Sequence, residues 1–71
     1  MKREFYDIPN DKLQVEIDRW IKSERNRAIL KRRLIDGLTF DELANEFNLS
    51  RSNVVKICMK EERRLFAKIS I

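Results

Sequence analysis

Histidine is absent from this 71-residue chain, cysteine, glycine and proline occur once each, and no uninterrupted apolar run exceeds three residues. No histidine and a lone Cys58 exclude zinc fingers, histidine-based catalysis and any intrachain disulfide. One Gly and one Pro leave little material for tight turns, hairpins or long loops. The short apolar runs exclude a membrane span and a signal-peptide core, so the expected location is the cytoplasm. Charged residues make up 39% and the hydrophobic set 42%, enough for a small core and so for a folded chain. Leu, Ile, Lys, Arg and Glu dominate the remainder, which points to an all-α domain. The length allows one domain at most.

The net charge of +4 is unevenly spread. Residues 1–46 carry ten basic and ten acidic side chains. Residues 47–71 carry Arg51, Lys56, Lys60, Arg63, Arg64 and Lys68 against Glu61 and Glu62, the whole excess. A second cluster, Lys22, Arg25, Arg27, Lys31, Arg32 and Arg33, faces only Glu24. Two basic islands on a small helical protein suggest a polyanion partner; the alternative is a solubilising surface.

Four helices are expected. Pro9 and Asn10 mark the first start, with Asn10 as N-cap and the helix over Asp11–Lys22. Leu13, Ile17, Trp20 and Ile21 form its apolar stripe, with Trp20 a core anchor. Ser23 caps a second helix over Glu24–Asp36, closed by Gly37 and facing inward through Ala28, Ile29, Leu34 and Ile35. Thr39 and Glu42 make a capping box for a short helix over Phe40–Phe47. Ser50 caps the last helix, which runs to about Ile69 with Val54, Ile57, Cys58, Leu65 and Ile69 inward. Residues 1–8 read as a tail docking through Phe5, Tyr6 or Ile8, while Met59 and Phe66 are either core or exposed patch. One domain over 1–71 is the expectation: a tail over 1–9, two supporting helices over 10–38, then a helix-turn-helix with an extended recognition helix over 39–71.

The stretch 40–59 is the most specific feature. Two closely crossing helices need a small contact residue, and Ala44 supplies one. The turn needs a residue that tolerates left-handed geometry, and Asn48 is the best choice after glycine. Leu43, Phe47, Leu49, Val54 and Ile57 can lock the helices together. Ser50, Arg51, Ser52, Asn53 and Lys56 give the second helix a polar leading surface. Arg51 can pair bidentately with guanine and Asn53 with adenine. Ser50 and Ser52 can donate to phosphates, and Lys56 can reach a base or the backbone. For Ser50 the alternative is a plain N-cap; for Arg51, Asn53 and Lys56 it is a solvated face.

Arg27 to Phe66, through Ile29-Leu30, Gly37 to Ala44 and Leu49 to Lys56, resembles region four of bacterial sigma factors. The effector domains of LuxR-type response regulators are similar but match less closely. The resemblance implies that Ser50 to Asn53 and Lys56 face the groove and contact bases and phosphates. Asn48 stands where the family usually has a turn glycine. No other sigma-factor region is present, so the chain is not expected to recruit polymerase to a complete promoter by itself.

The expected function is sequence-specific binding of double-stranded DNA to regulate transcription, as a homodimer, because a module this small reads few base pairs. The candidate dimer surfaces are the first helix and the end of the fourth, at Leu65, Phe66, Ile69 and Ile71. The rival is a protein-interaction module that docks on RNA polymerase or a transcription regulator without binding DNA itself, for which the resemblance implies residues 24–38. Arg25, Arg27, Lys31, Arg32 and Arg33 either reach flanking phosphates or form a solvated face with local pairs such as Lys31 to Asp36. Cys58 reads as a buried small hydrophobe rather than a redox switch. Asp41/Glu42 and Glu61/Glu62 are sequence neighbours, so they point about 100° apart on a helix and form neither catalytic dyad nor metal site. No enzyme activity, metal or cofactor is expected.

Overall fold

Four helices follow one another in the computed structural model: α1 (Asn10–Trp20), α2 (Glu24–Leu34), α3 (Phe40–Phe47) and α4 (Arg51–Ile69). The structure describes residues 8–69, except for the side chain of Ile69. Docking by Phe5 or Tyr6, and any contact through the side chains of Ile69 or Ile71, lies outside the described residues. Among the described residues no helix is long and apolar enough to cross a membrane.

The helix starts follow local chemistry, with one exception. Ser23 Oγ accepts the Asn26 N–H at 3.2 Å, and Ser50 Oγ accepts the Asn53 N–H at 3.2 Å. The Thr39 box is complete: the Glu42 N–H donates to Thr39 Oγ1 at 3.1 Å and the Thr39 N–H to Glu42 Oε1 at 2.8 Å. The exception is α1, where Pro9 rather than Asn10 takes the cap position and no side chain caps the helix. The Leu13 N–H bonds to the Pro9 carbonyl at 2.9 Å, which starts the helix one residue earlier and makes Asn10 its first residue.

α2 ends two residues short of the expected Asp36 because its last turn widens. The N–H groups of Ile35 and Asp36 both bond to the Lys31 carbonyl, at 2.9 and 3.3 Å, and the Leu38 N–H reaches back to that of Arg32. Gly37, at φ +79°, lets the chain reverse.

Two apolar clusters hold the helices together. Ile8, Leu13, Ile17, Ile21, Leu30 and Leu65 bind α1 to α2 and the far end of α4, with Trp20, Leu34 and Ile35 against them. Ile29, Leu43, Val54 and Cys58 bind α3 between α2 and the near end of α4, with Ala44, Phe47, Leu49 and Ile57 around them. Ala28 is only half-buried, so Ile29 and Leu30 carry the inner face of α2. Leu65 is fully buried in its own core and is therefore unavailable as a dimer contact. Phe66 is half-buried and Met59 is exposed.

A buried polar contact joins α2 to α4. Asn26 Nδ2 donates to Glu61 Oε2 at 2.7 Å, and both residues are buried. Glu61 Oε1 accepts no hydrogen bond, and the Arg64 Nε lies 3.9 Å away. Removing one partner strands a buried polar group, whereas removing both does not. Asn26→Leu or Glu61→Met alone should therefore cost about 1–3 kcal/mol in urea unfolding, and the double variant less than the sum of the two. Additive losses would show that the contact carries no coupling.

Candidate nucleic-acid interface

α3 and α4 meet at a turn set by one backbone position. Asn48 is at φ 60°, ψ 43°, the left-handed region, and it is the only non-glycine residue with positive φ among the described residues. The N–H groups of Asn48 and Leu49 both converge on the Ala44 carbonyl. The chain thus reverses within the three residues between the helices, and Val54 and Cys58 are packed beside Leu43.

This packing fixes which way α4 faces. Val54, Cys58, Glu61 and Leu65 recur at helical spacing and are buried. On the opposite side Ser52, Asn53, Lys56, Met59, Lys60, Arg63, Arg64 and Ala67 are all exposed, with no acidic residue among them. Ser52, Asn53 and Lys56 are brought together on this face. Ser50, the N-cap, lies 3.4 Å from Ser52 across their hydroxyls.

Arg51 stands apart from them. It leans back over α3, with its Nε 3.1 Å from Asp41 Oδ1 and its guanidinium 5.6 Å from the centre of the Phe40 ring. Arg33 sits over the same ring at 4.2 Å. Sequence reading missed Phe40 and Asp41 here, because their contacts to α4 cross the turn and leave no local signature.

The basic cluster of α2 is largely occupied within the fold. Arg27 Nη1 donates to the Ile21 and Lys22 carbonyls at 2.7 and 3.0 Å. Lys31 pairs with Asp18 at 2.8 Å, not with Asp36. Arg32 makes two hydrogen bonds to Glu46, at 2.8 and 2.6 Å, and a third to Asp36 at 2.9 Å. Those bonds raise the Arg32 pKa, and the same guanidinium holds the Glu46 carboxyl below its ordinary range. Arg33 Nη1 donates to the Leu38 carbonyl at 2.8 Å. Arg25, whose Nε donates to Asn26 Oδ1 at 3.3 Å, is the most exposed of the five.

Burial pushes the Cys58 thiol up to about 11, with Glu62 adding to the effect, so the thiol stays protonated and inert at neutral pH. Among the described residues no group of three or more His, Cys, Asp or Glu side chains could hold a metal ion.

The short α3, the left-handed turn, the buried seam and the polar leading face of α4 together define a helix-turn-helix domain. A comparison with known families agrees: the family described as sigma-70, region 4, matches residues 23–58. The chain belongs to this family of DNA-binding, transcription-regulating domains. No curated protein and no solved structure matches the chain. The matched segment contains α2, α3, the turn and the first part of α4, and leaves out α1 and the distal part of α4.

The turn can be tested directly. Asn48→Gly should be neutral or mildly stabilising and Asn48→Val should lose more than about 1 kcal/mol, because a β-branched residue is strained at positive φ. Equal stability of wild type and Asn48→Val would contradict the left-handed turn. Glu62 offers a second test. Burial raises its carboxyl pKa, partly opposed by Arg33. An unfolded Glu titrates near about 4.3, so between that value and the raised one the folded state holds more protons and stability falls as pH rises. Glu62→Gln should therefore be more stable than wild type at pH 7 in urea unfolding, with the gain shrinking as the pH falls and vanishing once the unfolded carboxyl is also protonated.

Proposed function

We propose that the chain binds double-stranded DNA sequence-specifically through the major groove, with Ser50, Arg51, Ser52, Asn53 and Lys56 at the interface, and thereby regulates transcription. The observation that carries this is the exposed, acid-free face at the start of α4, held outward by the seam with α3. Asn53 has the two-sided amide that reads adenine, and its side chain is exposed. Arg51 is exposed, and its exchangeable surface pair with Asp41 can give way to a bidentate contact with guanine. Ser50 serves as N-cap and sits where helix N–H groups favour a phosphate. Lys56, one turn on, contacts base or backbone.

The proposal includes a cytoplasmic homodimer whose two α4 helices lie about 34 Å apart. Val15, 56% exposed, is the large apolar side chain that α1 leaves uncovered for it. A solution mass of one chain would remove this part. The second reading is docking on RNA polymerase through α2 and the following loop. An open cleft of about 550 Å³ lies beside that loop, with Arg32 and Leu38 on one side and Glu42, Asn45 and Glu46 of α3 on the other, and offers such a partner a seat. The occupied cations of α2 also argue against that helix contributing phosphate contacts.

Fluorescence anisotropy against random and selected duplexes separates the two. About five phosphate contacts give a log–log salt slope near −4.5, from about −0.9 each, and a protein-docking module gives none. Ala at Arg51, Asn53 and Lys56 should leave folding within about ±0.5 kcal/mol. Loss of a base contact at Arg51 or Asn53 should cost about 1–3 kcal/mol on the selected site and flatten discrimination. Lys56→Ala, if its contact is to phosphate, should weaken both duplexes alike. Undiminished binding by a folded triple variant would hand the case to polymerase docking.

A further inference from the structure

The exposed basic side of α4 does not stop where the family match ends. Lys60 and Arg63 continue the line of Ser52 and Lys56 at spacings of four, four and three residues, so all four share one side of the helix. All are exposed, and among the described residues neither Lys60 nor Arg63 has an ion pair or hydrogen bond. The contrast with α2 is direct, because there Arg27, Lys31, Arg32 and Arg33 are all engaged inside the fold. Among the described residues no carboxylate or carbonyl takes up the charges of Lys60 and Arg63.

Length decides what they can reach. At about 1.5 Å per residue, Arg63 stands roughly 16 Å along the axis from Ser52. The major groove is only about 12 Å wide. A helix that enters the groove by its first turns therefore carries Lys60 and Arg63 to the groove's edge, where phosphates and not bases stand. The distal half of α4 is also held firmly, since Leu65 is buried against α1 and Glu61 is bonded to Asn26.

We propose that Lys60 and Arg63 form a phosphate-binding ridge that clamps the duplex backbone beside the groove. The ridge adds affinity without reading sequence. It rests on the groove reading above and extends the DNA interface beyond the segment the family match covers.

The test uses the full chain and four proteins: wild type, Lys60→Ala/Arg63→Ala, Lys60→Arg/Arg63→Lys and Asn53→Ala. Each is titrated with a labelled random-sequence duplex and with a duplex selected for tight binding, over a series of KCl concentrations. Circular dichroism melts check that all four are folded. The double Ala variant should lose affinity for both duplexes by a similar factor, on the order of tenfold or more, and its salt slope should fall by about 1.8, or about 0.9 per contact. The charge-retaining variant should keep the wild-type slope. Asn53→Ala should instead lose affinity mainly for the selected duplex. An unchanged slope and affinity in the double Ala variant, with Asn53→Ala still weakened, would overturn the ridge and leave the groove reading standing. Lost discrimination in the double Ala variant would overturn a backbone-only role. Wild type with no salt-dependent affinity for either duplex would overturn both readings.

Discussion

The arrangement of the domain depends on α4 being shared between two cores. Its near half, through Val54 and Cys58, closes on α3. Its far half, through Leu65, closes on α1. α2 contributes to both clusters by two adjacent residues, Ile29 and Leu30. Consecutive residues on a helix point about 100° apart, so this single dipeptide directs α2 toward two neighbours at once. The Asn26–Glu61 bond lies on the same α2–α4 contact. Its geometry fixes the axial register of the pair in a way that interchangeable aliphatic contacts do not. A slip of one residue would break that bond and turn the stripe of Val54, Cys58 and Leu65 out of the core.

The same constraint orients the outward face. Because the inner stripe is held from Val54 to Leu65, the opposite side of α4 is held over the same span. The polar leading residues need no scaffold of their own; they are what remains once the core has taken its side. Arg51 is the exception that follows from position, since as the first helical residue it lies beside the start of α3 rather than over the outer face.

What could be read in the sequence was what neighbouring residues decide. The caps at Ser23, Thr39 and Ser50, the glycine at 37 and the left-handed Asn48 are each determined within three or four residues, and each appears where the sequence placed it. Asn10 misled because Pro9, with φ already restrained near the cap value, accepts the first helical bond itself. Contacts between distant residues were not legible. Asn26 and Glu61 are 35 positions apart, and nothing near either one signals a buried partner. The α2 cluster looked like an anion site because only Glu24 lies beside it in sequence. Asp36 is a near partner of Arg32, but Asp18 and Glu46 come from α1 and α3. The leading face of α4 was legible as a set of residue types, and its members' directions were not.

That redistribution changes the meaning of the net charge of +4. Counting residues gives two basic islands. Pairing weakens the α2 island, because Lys31 is paired with Asp18 and Arg32 with Glu46 and Asp36, whereas Lys56, Lys60 and Arg63 have no carboxylate partner among the described residues. Ion pairs at a surface contribute little to stability, but each one cancels a long-range field. The field of Lys56, Lys60 and Arg63 is not cancelled in this way and is directed outward from α4. A polyanion approaching within a Debye length, about 10 Å at 0.1 M salt, meets positive potential on the same side that carries Ser52 and Asn53. Orientation is thus biased before contact, and a helix presented this way arrives with its hydrogen-bonding groups already facing the partner.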